Sequence, residues 1–575
     1  TAIEKIQKEK LDYNSNDTIR FTKKEYPFYV KAEDVEKVYT KRLKYDILED
    51  ISKTSKNLDS LQQHFATMEK ASRAKIFETA LCKINNRLET KESIEKEIRN
   101  DFYNVFCSYF DPHSSYFSYD TKSSFLSGLS TDNLSIGLYV TLNEKEEIIV
   151  EEIVPGGPAS QMEIIEKGDQ VLKVSGENGP ELLVSCNSLE LIGELIFSDS
   201  NKKIKLTLRK KNGNQYDVTL EKKIMKAEDH AVFSFIVSKE NTRLGYINIP
   251  SFYTDFEGNT MQGTTDDVAR EIFKLKQENV DGLIIDLQNN GGGSMEEAIR
   301  LSGMFIDSGP ISVLADKRKN LKILKDSNRG MIYSGPLILL VNGNSASASE
   351  FFASAMQDYN RALLVGSTTL GKATMQQILP IDNNQQDFVK LTVEKFYRVT
   401  GKSHQMSGVI PDVKIPTLYD GIISRENSAK TALKNDQIAV KTRFKPFSRD
   451  VIANLLPLSL ARVKTDSYFN EVALANEKID TIFKKVKAPI LMNFESIFND
   501  VHAVDALFDE VKKLSETTAP FAIKNTNFIE NNIKTDNFQK SINEFRTKNL
   551  KTNAYVSEAI NIINDYKRLY IVPKN

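Results

Sequence analysis

Four apolar runs crowd the middle of the chain: LGYINIP (244–250), DGLIIDL (281–287), PLILLVN (336–342) and ALLVG (362–366). Each is close to continuous rather than alternating, so neither face of such a strand can be left in water. That pattern belongs to a sheet covered on both faces. Between the runs lie DVAREIFKLKQE, MEEAIRLSGMFI and ASEFFASAMQDY, whose apolar residues recur at helical spacing. Alternating strands and helices from about residue 230 to 417 predict an α/β core.

On either side the pattern changes. VEKVYTKRLKYDILEDI sets Val38, Leu43, Ile47 and Ile51 on one helical face, and helical patterning continues until DPHSSYF (111–117) breaks it. Short strands follow: EIIVEEIVPGGPA ends in a Gly-Pro turn, and KKIKLTLRK and YDVTLEKK flank the Asn212–Gly213 hairpin signal. NSLELIGELI reads as a short helix, and beyond about 420 the chain is polar and helical. The expected division is a helical region 1–120, a mainly β module 121–225, an α/β core 226–420 and a helical region 421–575.

Charge excludes some partners. Lys and Arg number 77 against 78 Asp and Glu, a net charge of −1, so nothing attracts nucleic acid or an anionic surface. The basic run Lys317–Lys325 alternates with Asn320, Leu321 and Ile323, as a solvated hairpin face would. No apolar run approaches the roughly 20 residues of a membrane helix. Cys82, Cys107 and Cys186 are widely separated and odd in number, which predicts neither a metal site nor a disulfide framework and leaves the compartment open. The chain opens on Thr1, so the lack of a signal peptide is uninformative.

The stretch NGNSASASEFFASAMQDYNRA (342–362) raises a chemical question, because four serines precede or enter an apolar helix. A serine hydroxyl becomes a nucleophile only when a base takes its proton. None of the five histidines (64, 113, 230, 404, 502) lies in a motif known to pair with serine. A lysine serves instead when burial lowers its pKa. Lys372, in VGSTTLGKATMQQ, follows the run ALLVG and fits that need. Acyl chemistry also needs two donors for an oxyanion, and DLQNNGGGSMEEA offers glycine-loop amides at the entrance of a helix. Read alone, a triple-glycine turn, a small-residue helix entry or a Gly-Lys pair is ordinary structure.

Together these stretches resemble the C-terminal processing, or tail-specific, protease family in its long form. The resemblance runs in order through YFDPHSSYFS, PGGPA with KGDQVLKV, GYINIPSFYTDF, DGLIIDLQNNGGGSMEEAIRLSGMFIDSGP, NSASASEFFASAMQDYNRALLVGSTTLGKATMQQ and KFYRVTGKSHQMSGVIPDV. It implies a crotonase-like α/β catalytic core, a PDZ module ahead of it and α-helical terminal regions. It further implies Ser347 as nucleophile, Lys372 as general base, Gln376 as the residue orienting that lysine, and the amides of Gly293 and Ala348 as the oxyanion hole. Ser345 and Ser349 are then structural, with Ser349 a possible helix N-cap. Ala373 stands where the family usually has glycine, a cost if that backbone needs positive φ, and Gln288 stands where it usually has arginine. His404 reads as a surface or hydrogen-bonded histidine and Asp286 as a turn cap.

In the PDZ-like segment the family's carboxylate loop falls on Ser135, Ile136, Gly137 and Leu138. A facing helix, Ser188–Ile196, offers Leu191 and Leu195 to an apolar tail. The implied activity is serine endopeptidase cleavage of unfolded or tail-tagged proteins, with no metal or cofactor, an adaptor as a possible partner, and a periplasmic or cell-envelope location. The alternative is a catalytically silent PDZ scaffold or adaptor. A coenzyme A thioester enzyme on the same core would explain neither the PDZ segment nor the lysine.

Overall fold

The structure is a computed structural model that describes residues 2–20, 31–87, 91–130, 132–142, 147–177, 179, 181–186, 192–193, 195–196, 198, 200–226, 231–255, 263–439, 442–484 and 487–570. The four apolar runs lie side by side in a seven-stranded sheet. Its order is Val413–Lys414, Leu363–Gly366, Leu337–Val341, Gly282–Asp286, Thr242–Asn248, Phe233–Lys239 and Ala522–Lys524. The first five strands are parallel and the last two are antiparallel.

Both faces are covered, which explains why the runs do not alternate. Leu283, Ile285 and Leu339 point toward the helices that carry Val268, Leu301 and Phe351. Ile284, Ile338 and Leu340 point the other way, against Leu455 of helix Asp450–Thr465 and Val556 and Ile560 of helix Ala554–Tyr570. Each such fully buried aliphatic side chain contributes about 1.5–3 kcal/mol relative to exposure. The C-terminal region therefore forms one wall of the catalytic core.

A second sheet runs Leu321–Asp326, Gly309–Asp316, Asp387–Arg398 and Thr374–Pro380, and Ser115–Ser118 adds to Asp387–Arg398. It carries the residues after Lys372 and brings the 111–118 segment beside them. The β module is a separate sheet, ordered Leu138–Leu142, Ile148–Ile153, Gln170–Gly176, Lys203–Arg209 and Gln215–Glu221. Its hairpin closes with Arg209 opposite Gln215, around the Asn-Gly turn.

Near the N-terminus, Leu43, Ile47 and Ile51 are buried, and their core is shared with Met492, Phe494 and Ile497. Strand Asn14–Ile19 pairs with Ile490–Asn493. Ala475, Ile479, Leu507, Val511 and Leu514 form a further small core, so the last region is divided among three, which no local pattern announced. The reading of the cysteines is corrected: Cys82, on helix Phe65–Arg87, is disulfide-bonded to Cys186 of the β module, and Cys107 is free. The two half-cystines are 104 residues apart, so spacing could not pair them. Among the described residues no helix is long and apolar enough to cross a membrane.

Candidate active site

Strand Leu337–Val341 ends in a tight turn that leads into helix Ala348–Asp358. Ser347 caps that helix with φ 56° and ψ −112°, a region an L-residue adopts only when its surroundings enforce it. The enforcement comes from the glycine loop. A Cβ on Gly292 would lie 2.9 Å from both Ser347 Cβ and Ala346 O, so only glycine fits there. Buried Asn290 ties the two turns together: its carbonyl accepts from Ala346 N (3.0 Å) and Ser349 Oγ (2.9 Å), and its Oδ1 accepts from Gly292 N (2.9 Å). Among the described residues the amides of Gly293 and Ala348 have no backbone acceptor, so both remain available to an oxyanion beside Ser347.

Ser345 Oγ donates to Leu287 O (2.7 Å), a structural role. Ser349 is not the N-cap; Ser347 occupies that position, and the buried Ser349 hydroxyl is spent on Asn290.

One residue that the sequence reading missed joins Ser347 to Lys372. Glu350, fully buried, accepts from Ser347 N (3.0 Å) and Lys372 N (2.8 Å) through Oε2. Through Oε1 it accepts from Gly371 N (2.7 Å) and the Thr369 hydroxyl. Burial pushes its carboxyl up to about 7, and the four donors oppose that shift. A lone acid in the apolar helix ASEFFASAM was the available signal.

Lys372 is brought to the same place, partly buried and closely surrounded by protein. Desolvation, assisted by Lys390, lowers its pKa from 10.5 to about 8, while Glu426, Glu350 and Asp111 pull in the opposite direction. Among the described residues no hydrogen bond joins Ser347 Oγ to Lys372 Nζ. Gln376 forms no hydrogen bond to Lys372 either; its Nε2 donates to Thr374 Oγ1 (3.0 Å) and Thr392 Oγ1 (2.9 Å).

The two departures from the family pattern have plain explanations. Ala373 is not among the residues with positive φ; Gly371, at 101°, is. The Ala373 methyl packs in the core. Gln288 accepts from Asn553 Nδ2 (3.0 Å), a partner supplied by the C-terminal region. Asp286 caps its turn by accepting Gln288 N (2.9 Å) and also binds Tyr246 OH (2.8 Å). His404 is neither exposed nor hydrogen-bonded. It is buried with both ring nitrogens unpartnered and packs edge-on against Phe396, and burial drives its pKa down to about 3. It is a neutral core residue.

In the β module Ser135 Oγ accepts from Gly137 N (3.0 Å), Gly137 has φ 75°, and Ile136 is buried. Leu138 and Leu195 pack against the same small core. Leu191 and most of the polar half of the expected helix Ser188–Ile196 lie outside the described residues. A cleft of about 740 Å³ runs between Tyr139 of this module, Phe538 and Phe545 of helix Asn537–Lys551, and Tyr246 at the sheet end. It reaches Asn289, whose Oδ1 accepts from Asn342 Nδ2 (2.9 Å) and Asn344 Nδ2 (3.1 Å) of the nucleophile turn.

Three segments of the chain match known protein families. Residues 243–415 match peptidase family S41, 1–120 match the tail-specific protease N-terminal domain, and 129–208 match the PDZ domain. A tail-specific protease of Haemophilus influenzae is 31% identical over 82% of this chain and 67% of its own length. A probable CtpA-like serine protease of Staphylococcus aureus is 28% identical over 58% of this chain and 63% of its own length. Among solved structures, the photosystem II D1 C-terminal processing protease aligns with 63% of this chain and 93% of its own, at 23% identity and a TM-score of 0.34.

Proposed function

This chain belongs to the tail-specific protease family, within peptidase family S41, and from that premise we propose that it is a serine endopeptidase working through a Ser347–Lys372 dyad. The observation that carries the reading is Glu350, which holds the amides of Ser347 and Lys372 on one carboxylate oxygen. Besides capping the helix, that oxygen fixes the backbones of Ser347 and Lys372 relative to one another.

Neutral Lys372 takes the proton of Ser347 Oγ as that oxygen attacks the scissile carbonyl carbon. The amides of Gly293 and Ala348 receive the oxyanion. The lysine ammonium then protonates the departing amine. In the second half a water gives its proton to Lys372 and attacks the acyl carbon; the bond to Ser347 Oγ breaks as the lysine ammonium returns that proton to Oγ, restoring the serine hydroxyl and the neutral lysine. Gln376 acts at one remove, setting the strand that follows the lysine. The four segments 1–120, 121–225, 226–420 and 421–575 remain our proposed division, with the last serving three cores.

The substrate is an unfolded protein. Its C-terminus is taken by the loop Ser135–Leu138, where a carboxylate replaces the Ser135 hydroxyl on Gly137 N, and its apolar last residue lies toward Leu195 and Leu191. The cleft at Tyr139 and Phe538 supplies a route from that module to the nucleophile turn. The Cys82–Cys186 bond supports an oxidising compartment, in keeping with a periplasmic or cell-envelope location. The test is cleavage of unfolded casein by the full chain. Turnover should be lost in Ser347→Ala with the fold intact; equal cleavage by that variant would leave a scaffold that owes its activity to a contaminant.

A further inference from the structure

We propose that Glu426 is a positioning residue for the general base: with His113 and Gln405 it forms a buried strut between the turn that ends the N-terminal helices and the loop carrying Lys372. The inference rests on the Ser347–Lys372 reading and adds to it a residue from outside the core strands.

The strut is continuous. His113 Nε2 lies 2.7 Å from Glu426 Oε2, and Gln405 Nε2 donates to Glu426 Oε1 at 2.7 Å. Gln405 is fully buried, and its Oε1 accepts the amide of Ala373, the residue after Lys372, at 2.7 Å. Glu426 also grips the loop through its backbone, since its N–H donates to Leu370 O (3.1 Å). Its neighbour Arg425 donates to Thr369 O (2.9 Å) and is anchored on Asp420 (2.7 Å). The loop is therefore clasped on one side by Glu350, from the nucleophile helix, and on the other by Arg425 and Glu426.

The same N-terminal turn has a second arm. Asp111 Oδ1 accepts from Thr392 Oγ1 (2.9 Å), and Thr392 Oγ1 accepts from Gln376 Nε2 (2.9 Å). Residues 111–114, which directly follow helix Lys91–Phe110, thus reach both the amide beside Lys372 and the side chain of Gln376. The helical region is wired to the base by two short chains of buried and half-buried polar groups.

Glu426 also acts by its charge. The charged groups facing Lys372 are Lys390, which disfavours the ammonium, and Glu426, Glu350 and Asp111, which favour it. A carboxylate distant from the lysine would leave its titration unchanged. One that faces the lysine and holds its loop should affect both its titration and the turnover rate.

Glu426→Gln separates these effects, because it keeps the shape and one acceptor while removing the charge. With casein and the full chain, the acid limb of kcat should move to lower pH by about one unit, with KM changed less than about twofold. Glu426→Ala, which breaks the strut, should lower kcat roughly 10- to 100-fold at little cost in KM. His113→Gln, which keeps a donor to Glu426, should recover most of the activity lost in His113→Ala. An unmoved acid limb in Glu426→Gln overturns the proposal. So does a His113→Gln enzyme as inactive as Ser347→Ala, since His113 would then act on the reacting atoms. Lys372→Met belongs in the same panel. If it retains turnover, the dyad reading falls and the strut with it; if it is inactive while Glu426→Gln titrates as wild type, only the strut falls.

Discussion

Lys372→Met should abolish proteolysis and at the same time stabilise the catalytic core. In the folded chain the lysine pKa is lowered from 10.5 to about 8, chiefly by desolvation. At 1.36 kcal/mol per unit, holding the protonated side chain in that place costs about 3 kcal/mol. The direction with pH follows from linkage: between about pH 8 and 10.5 the unfolded chain carries a proton on this lysine that the folded chain has released. Stability of the wild type therefore rises with pH across that window. Methionine, of similar length and without charge, escapes the cost. The gain should be about 3 kcal/mol at pH 6–7, or roughly 5–10 °C in the transition of a cooperative unit of this size. It should shrink toward zero near pH 10.5. Scanning calorimetry of both proteins at pH 6.5 and 9.5 reads the effect directly. A variant less stable than wild type at pH 6.5, or an equal difference at the two pH values, would refute a desolvated lysine at this site.

Proteolytic kcat should rise with pH through about 8 and should survive His404→Phe, since His404 is a neutral core residue; a lost rate with an intact fold would return catalysis to that histidine. Glu350→Gln leaves two of the four donors on that side chain without an acceptor, each costing about 1–3 kcal/mol; kcat should collapse, and a rate within tenfold of wild type would remove Glu350 from the machinery. Ala373→Gly should not raise the rate, because the backbone there does not have positive φ, and should destabilise by about 1 kcal/mol; a faster enzyme would show that the loop is strained. Substrates with a free C-terminus should be cleaved roughly 10- to 150-fold better than amidated ones, from a charge-assisted contact of about 1.5–3 kcal/mol. Equal cleavage, measured on one unfolded substrate made both ways, would leave the PDZ module as a spacer.

The strands of the catalytic sheet, the hairpin at Asn212–Gly213 and the placement of Ser347 at a helix entrance were all legible from the chain. Each depends on neighbours within about ten residues: a continuous apolar run cannot lie at a surface, and an Asn-Gly pair turns sharply wherever it stands. Lys372 drew attention by the same means, since it lies just beyond a buried strand, whereas Ser347 was singled out among its neighbouring serines by resemblance. Tertiary structure alone showed what covers the second face of the sheet, because helix Ala554–Tyr570 packs on strands such as Leu363–Gly366, more than 180 residues earlier in sequence. The same holds for the Cys82–Cys186 bond, the negative φ of Ala373 and the exchange of Gln376's expected partner for Thr392. It holds most of all for the polar groups around the lysine loop. His113, Glu350 and the pair Gln405 and Glu426 come from three separate parts of the chain. A buried carboxylate is tolerated only where several donors converge, and that convergence is a property of packed backbone rather than of any local run of residues.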